Sequence, residues 1–242
     1  ERIVCGSVPT LCKSSRRRVY DPAHPWLVIV DEAHHATAKS YQVILKHFLG
    51  GNPKSRVVGV TATPKRTDGD GLIRVFASAA FVYSIREAIN DGWLVDVETL
   101  RPTVTGLDFS SCKLRAGDLS ADDVAAIATQ ERPLHEVAAV LRSEVGQRQG
   151  IVFCANRRHV AAMTAVLQRD RYFGEDRVGG ADGDTDPLIR EDLIARFRSG
   201  RLQVLVNCGL FTEGLDIPNA SFLGMCRPTK SLVVYTQALG RI

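Results

Sequence analysis

Residues 26–35, WLVIVDEAHH, bring a run of largely apolar residues directly to two acids, an alanine and two histidines. An apolar run of this kind is typical of a strand in a parallel sheet that is covered on both faces. A buried carboxylate is costly unless something offsets it, so Asp31 and Glu32 are expected where the strand emerges into a site. The alternative is a helix that begins at Asp31 and places its acids at the positive end of the helix dipole. The apolar run before the acids favours the site.

Similar apolar runs recur along the chain and alternate with stretches of helical spacing. They read RIVCG, RVVGVT, GIVFCA, QVLVN and SFLGM. Within 187–200, for example, Ile189, Leu193 and Phe197 recur every four residues, and Asp186 is the predicted N-cap before a proline. The alternation predicts an α/β fold built on parallel sheets.

The alternation of strands and helices is interrupted once. The stretch 97–130 has little apolar periodicity and many polar and turn-forming residues, which indicates a domain connection. We therefore predict two α/β domains, at 1–102 and 131–242, joined by a connection at 103–130.

Composition and charge limit the classes of protein to which the chain can belong. The chain has 242 residues, 45% of them hydrophobic, and no apolar run approaches the roughly 20 residues of a membrane helix. A net charge of +4 permits a phosphate-rich partner without requiring one. The basic run at 13–18 is expected to be a solvated loop rather than a nucleic-acid patch. Six cysteines without C-x-x-C or zinc spacing favour a reduced, intracellular protein.

Polar residues also follow other predicted elements, as Asp31 and Glu32 follow the first long apolar run. Ligands of open α/β sheets bind at the carboxyl ends of the strands. There, Asp31 can hold Mg²⁺ through water and Glu32 can orient or deprotonate an attacking water. Taken alone, an arginine at a helix end is common, but it can also stabilise phosphoryl charge. The further candidates are Thr61, Ala62 and Thr63; Thr212, Gly214 and Asp216; and Gln237 with Arg241.

In this order and at these separations, the motifs resemble those of superfamily 2 helicases. The matching stretches are DEAH (31–34) for motif II, TATP (61–64) for motif III, TEGLDIP (212–218) for motif V and QALGR (237–241) for motif VI. SVPTL (7–11) is similar to motif Ib, and IVFCANRRHV (151–160) to motif IV. The resemblance covers nearly the whole chain and implies two RecA-like parallel-sheet domains of the P-loop NTPase type.

The resemblance is strongest to the DNA-directed branch of the superfamily. This resemblance is carried by the stretches TATPKRTDG, NDGWLVDVE and RPTKS. The branch includes XPB-type repair translocases, type III restriction motor subunits and fungal mitochondrial branch-migration helicases. The spliceosomal DEAH proteins share the tetrapeptide DEAH, but their QRxGRAGR pattern is not found here. DNA, duplex or branched and bound without sequence preference, is therefore the expected partner, and RNA is the alternative.

The resemblance implies a role for each matching residue. Asp31 would coordinate Mg²⁺ through water, and Glu32 would position the hydrolytic water of ATP cleavage. His34 would link the nucleotide site to the coupling residues Thr61, Ala62 and Thr63. The nucleotide would also meet Gly214, Asp216, Gln237 and Arg241. Three residues would lie near the sugar-phosphate backbone, where contacts position nucleic acid without reading sequence, namely Thr10, Asn156 and Thr212.

Two departures from the family pattern stand out. No G-x-x-x-x-G-K-[ST] occurs in the sequence, and in GGNPKS (50–55) Pro53 occupies the position before the lysine where glycine is needed. The second arginine of Q-x-x-G-R-x-x-R would follow Ile242. We expect an internal piece of a motor with an incomplete first domain, unable by itself to hydrolyse ATP. Stimulated ATPase of the 242 residues, abolished by Glu32→Gln, would contradict this.

The sequence thus predicts an ATP- and Mg²⁺-dependent DNA helicase or translocase. An RNA helicase of the same superfamily is one alternative. A non-catalytic nucleic-acid-binding module is another, although the intact DEAH, TAT and TEG residues count against it. A restriction-type nuclease motor would need a nuclease domain beyond this sequence. The expected location is mitochondrial or nuclear in a eukaryote and cytoplasmic otherwise, with no membrane association.

Overall fold

The computed structural model describes residues 3–63, 72–115, 117–210 and 219–240. The chain forms two compact units, Glu1–Glu98 and Thr99–Ile242. Each unit contains a parallel sheet with flanking helices, so the predicted α/β class is confirmed. Among the described residues, no helix combines the length and the apolar character needed to cross a membrane.

The first unit is built around a two-stranded parallel sheet in its described part. Its strands and longer helices are β1 (Leu27–Val30), β2 (Arg56–Gly59), α3 (Lys39–Gly50) and α4 (Ile85–Asn90), preceded by the short helices α1 (Val8–Leu11) and α2 (Ser14–Arg17). Single 3-10 turns occupy Ala33–His35 and Leu72–Arg74.

Only one face of this sheet is covered by described residues. Val30 and Leu45 belong to the apolar cluster between the sheet and α3. Successive side chains of a strand point to opposite faces, and on the other face Leu27 is 63% exposed and Ile29 is 67% exposed. The expectation that strand 26–30 is buried on both faces is therefore wrong for the described part of the chain. An apolar run alone does not show what covers it.

The second unit holds a four-stranded parallel sheet in the order β6-β7-β5-β8 and a small antiparallel hairpin, β3-β4. The strands are β3 (Leu114–Arg115), β4 (Asp118–Leu119), β5 (Gln149–Phe153), β6 (Val178–Ala181), β7 (Val204–Asn207) and β8 (Ala220–Met225). The helices are α5 (Ala121–Ala128), α6 (Glu131–Val145), α7 (Arg157–Arg169), α8 (Pro187–Arg198) and α9 (Leu232–Leu239), and a 3-10 turn spans Glu175–Arg177.

The central strands of this second sheet are buried on both faces. Val152, Val204 and Val206 pack with α6 and α7, whereas Ile151 and Phe153 pack with α8 on the other face. The predicted start of α8 is confirmed, because the Asp186 side chain accepts a hydrogen bond from the Leu188 amide. Leu193 and Phe197 are buried as their spacing implies. Ile189, on the same expected stripe, is 57% exposed, since it lies in the first turn, where α8 extends beyond the core.

The segment 103–130, predicted as a connection, contains the hairpin and α5 and lies within the second compact unit. Ser120 caps α5 by accepting a hydrogen bond from the Asp123 amide. Val124 and Ala125 are buried in a small cluster that includes Ala155. These contacts join the segment to the second sheet.

Candidate functional site

Asp31 and Glu32 follow β1 immediately, as expected of residues at a strand's carboxyl end. Glu32 has φ +47° and is the single non-glycine residue with positive φ in the part of the chain that the structure describes. That conformation costs roughly 1–2 kcal/mol for a residue with a Cβ. Neighbouring bonds maintain it, because the Ala33 amide donates to the Val60 carbonyl at 2.9 Å. Strain of this kind is concentrated at functional sites.

Gly59, at the end of β2, makes this tight turn possible. A Cβ at this position would collide with the Phe76 ring and would lie 2.7 Å from the Cβ of Ala33. Only glycine therefore lets β2 approach the turn that carries Glu32. Gly59 was not among the predicted site residues, although a glycine inside a strand is a known signal of close backbone approach.

His34 joins the acid turn to the next strand end. Its Nδ1 lies 3.0 Å from Thr61 Oγ1 and 3.3 Å from Glu32 Oε2. The imidazole is buried, whereas Asp31 is exposed and its Oδ1 accepts a hydrogen bond from the Glu32 amide. The structure thus places the carboxylate, the imidazole and the hydroxyl, which were predicted to act together, within hydrogen-bonding reach.

A further hydrogen bond connects Thr61 with Thr63, within the stretch TATP. Thr61 Oγ1 accepts a hydrogen bond from the Thr63 amide at 3.1 Å, and Thr63 is buried. Ala62 lies between them in the same short turn. Three successive contacts, Glu32 to His34, His34 to Thr61 and Thr61 to Thr63, therefore connect the acid turn with residue 63.

A second candidate region lies at the carboxyl ends of β5 and β8. Phe153 and Met225, the last residues of those strands, line a cavity of about 120 Å³ together with Arg227 and Gln237. Gln237 reaches it from α9, whose first turn is capped by Ser231. This places one predicted nucleotide-binding residue at the sheet edge where α/β proteins bind ligands.

Other predicted residues have local contacts or lie outside the described ranges. Asn156 caps α7 by accepting from the His159 amide, and its Nδ2 donates to Asp122 at 3.0 Å. Thr10, in α1, is exposed and accepts a hydrogen bond from the Ser7 hydroxyl. Four predicted residues fall outside the described part of the chain: Thr212, Gly214, Asp216 and Arg241.

Asp118, a carboxylate that was not among the predicted site residues, lies close to the second region. Asp118 Oδ2 accepts hydrogen bonds from Arg227 Nη2 at 3.0 Å and from Thr229 Oγ1 at 2.7 Å. Burial alone would raise the pKa of Asp118, but hydrogen bonds, first among them that from the Lys230 amide, lower it below its ordinary value. Arg227 could have been found from RPTKS; Asp118 could not, because more than 100 residues separate it from these partners.

Within the described residues, no group of three or more histidine, cysteine or acidic side chains could hold a metal ion by itself. The six cysteines form no disulfide, and burial, the largest cause, raises the pKa of the thiols of Cys154, Cys208 and Cys226. Their side chains therefore stay protonated at neutral pH, as expected for cysteines that pack as small apolar groups.

Comparison with known proteins agrees with the order of the motifs. The family model "Helicase conserved C-terminal domain" matches residues 133–242, and the model "Type III restriction enzyme, res subunit" matches residues 1–66. The chain belongs to the superfamily 2 helicases. The family identified from the sequence is thus confirmed.

Two fungal relatives match this helicase chain over almost all of its length. "Putative ATP-dependent helicase IRC3" of Saccharomyces cerevisiae is 31% identical over 247 residues, covering 99% of this chain and 34% of that protein. "Putative mitochondrial ATP-dependent helicase irc3" of Schizosaccharomyces pombe is 34% identical over 235 residues, covering 95% and 37%. The chain therefore spans about a third of the length of these relatives.

A solved structure supports the fold of this helicase chain. "The fragment structure of a putative HsdR subunit of a type I restriction enzyme from Vibrio vulnificus YJ016" superposes with a TM-score of 0.67 at 22% identity, covering 94% of this chain and 42% of that one. At this identity the likeness concerns the fold alone, and it confirms the predicted RecA-like architecture.

Proposed function

We propose that the protein is an ATP-dependent motor that moves along or unwinds DNA, and that the turn after β1 carries out ATP hydrolysis. The observation that carries this proposal is the group formed by Glu32, His34 and Thr61, with distances of 3.0 and 3.3 Å about one imidazole nitrogen. Motif matching predicts the identity of these residues but not their contact. A histidine that contacts both a carboxylate and a hydroxyl can relate the state of a bound nucleotide to the position of a second segment.

Within this proposal, Glu32 orients the attacking water and accepts its proton. A carboxylate suits this task when it is held rigidly and keeps access to solvent. The left-handed backbone and the His34 contact supply the rigidity, and the side chain of Glu32 is 33% exposed. The γ-phosphoryl group of ATP needs little covalent help from the protein, since catalysis of its transfer rests on positioning and charge stabilisation.

Asp31 fits a role beside a magnesium ion. It offers an exposed carboxylate at a strand end, and Mg²⁺ is commonly held by one or two carboxylates, retained waters and substrate phosphates. A set of three protein ligands is therefore not required. When bound, the ion would neutralise phosphate charge, and the Asp31 carboxylate would hold it through water.

His34, Thr61 and Thr63 form the proposed coupling path. The buried imidazole contacts Glu32 on one side and Thr61 on the other, and Thr61 holds the amide of Thr63. Residues 61–63 would therefore shift when the contacts of Glu32 change during hydrolysis. By resemblance, Gly214, Asp216, Gln237 and Arg241 contribute to nucleotide binding or charge stabilisation.

DNA is the substrate that the comparisons favour. The family model matched by the first 66 residues describes a subunit of a restriction enzyme, and restriction enzymes act on DNA. Thr10, Asn156 and Thr212 are proposed to contact the sugar-phosphate backbone, which gives salt-sensitive binding without sequence preference. Since one relative is named as mitochondrial, a mitochondrial location is proposed as well.

The test compares ATP hydrolysis by the full-length protein with single-stranded DNA, duplex DNA, branched DNA and RNA. We expect one of the DNA forms to give the largest stimulation and RNA the smallest. Stimulation by RNA above every DNA form would replace DNA by RNA as the substrate. Binding to nucleic acid without any ATP hydrolysis would instead favour the non-catalytic module.

A further inference from the structure

Asp118, in the small hairpin, holds the segment that leads into α9. Its Oδ1 accepts a hydrogen bond from the Lys230 amide at 2.7 Å, and its Oδ2 accepts from the Thr229 hydroxyl at 2.7 Å and from Arg227 Nη2 at 3.0 Å. One carboxylate thus contacts three residues within a four-residue stretch. Hydrogen bonds to a charged group are about twice as strong as neutral ones.

The contact passes directly to the start of α9. Thr229 Oγ1, which donates to Asp118, also accepts from the Ser231 amide at 3.0 Å. Ser231 is the N-cap of α9 and accepts from the Val234 amide. Two residues therefore connect the Asp118 carboxylate to the first turn of the helix that carries Gln237.

The same carboxylate also fixes the side chain of Arg227. Their ion pair is shielded from solvent, with side-chain exposures of 23% for Arg227 and 15% for Asp118. Arg227 lines the cavity that Gln237 also lines. If Asp118 were neutral, this partly buried guanidinium would lose its charged partner beside the cavity, and such a loss is costly.

We propose that Asp118 is a positioning residue for ATP hydrolysis, because it fixes residues 227–231 and thereby the orientation of α9 and Gln237. The inference rests on the proposed function, in which Gln237 contributes to the nucleotide site. Asp118 acts through other residues. Its loss should lower the rate of the chemical step more than the affinity for ATP.

The first experiment measures ATP hydrolysis by the full-length protein carrying Asp118→Asn. The matched control is Glu136→Gln, since Glu136 also accepts from a backbone amide, that of Thr105, and from an arginine, Arg132, in the same unit. We expect kcat to fall about 10- to 100-fold for Asp118→Asn, the range for a misplaced catalytic group, with the KM for ATP changed by less than about threefold. The control should keep kcat within about twofold.

A second variant guards against a simple loss of folding. Thr229→Val removes one link of the path and leaves the Asp118 charge and Arg227 in place. Its effect on kcat should not add to that of Asp118→Asn, because the two residues act through the same contact. The inference would be overturned if the effects of Asp118→Asn and Thr229→Val on kcat were fully additive. It would also be overturned if Asp118→Asn lowered kcat no more than Glu136→Gln does.

Hydrogen exchange separates this inference from the proposed function. Asp118→Asn should raise the exchange rates of the Val234 and Tyr235 amides in α9, and Glu136→Gln should not. Unchanged exchange in α9 overturns the positioning role whatever the activity. If exchange in α9 is faster in Asp118→Asn but the wild-type protein has no nucleic-acid-stimulated ATPase, the contact of Asp118 with residues 227–231 still holds α9. The proposed function is then overturned, and with it the role of Asp118 in catalysis.

Discussion

The two candidate regions, at the ends of β1 and of β5 and β8, are similar in position but differ in how they are assembled. The first is formed by the turns that follow β1 and β2, within residues 31–63. The second combines β5, β8 and α9 with Asp118, which lies in a hairpin more than 100 residues before the residues 227–230 that it contacts. The first region therefore depends on local backbone geometry, whereas the second depends on long-range polar contacts. Substitutions in the two regions should therefore have different effects on activity and stability.

His34→Ala should give the largest effect among the substitutions that probe this difference. It removes the imidazole between Glu32 and Thr61, so we expect nucleic-acid stimulation of ATP hydrolysis to fall about 10- to 100-fold while basal hydrolysis falls less. The measurement is the ratio of stimulated to basal kcat in the full-length protein. His47→Ala serves as the control, because His47 lies in α3 and its Nε2 contacts the backbone carbonyl of Tyr20.

If His34→Ala lowers basal and stimulated rates by the same factor, His34 supports the site without coupling it to nucleic acid. The first region would then resemble the second, in which a polar contact positions a catalytic element.

Gly59→Ala should reduce stability through a collision rather than through a lost hydrogen bond. The new methyl group would meet the Phe76 ring and the Cβ of Ala33, and overpacking of this kind costs roughly 1–3 kcal/mol. Urea unfolding of the full-length protein measures it. Gly50→Ala is the matched control, since nothing lies within 4 Å of its Cβ position, and it should be neutral or slightly stabilising. Equal effects of the two substitutions would show that β2 does not constrain the acid turn.

Ser120→Ala should have a smaller effect in the second unit. It removes the side-chain cap of α5, which costs about 1 kcal/mol. The free energy of unfolding should fall by this amount with no change in the KM for ATP. Ser110→Ala, an exposed position before the hairpin, should leave stability unchanged. A change in KM would mean that α5 contributes to the second region directly.

The pH dependence of the Asp118 contacts should be the smallest of these effects. The folded-state pKa of Asp118 lies below its ordinary value of 3.8, so its contribution is present above that value and is lost as pH falls through the folded-state pKa. The difference in unfolding free energy between wild type and Asp118→Asn should therefore be constant from about pH 5 to 7 and shrink below about pH 4. A difference that stays constant to pH 3 would contradict the ionic nature of the contact.

The contrast between the regions also explains what could be predicted from sequence. The α/β class, the start of α8 at Asp186 and the position of Asp31 and Glu32 at a strand end follow from local patterns, and the structure confirms them. The left-handed conformation of Glu32 could not be predicted, because glutamate rarely adopts it and the turn is bonded to Val60, which is distant in sequence.

Long-range features were inaccessible for a different reason. Asp118 lies in a polar segment without apolar periodicity, so its sequence surroundings suggested a connection. Its importance depends on the folding of residues 227–230 against it, and no local pattern encodes that contact. The exposed face of β1 is similar, because an apolar run does not specify which elements cover it.

The most direct test of the central claim is single-turnover ATP hydrolysis by the full-length protein with duplex DNA, comparing wild type with Glu32→Gln. Asp21→Asn, an exposed loop carboxylate of the same unit, serves as the control. We predict that Glu32→Gln binds ATP with unchanged affinity and hydrolyses it at least about 100-fold more slowly, while the control matches wild type. Hydrolysis by Glu32→Gln at the wild-type rate would contradict the assignment of the turn after β1 as the hydrolytic site.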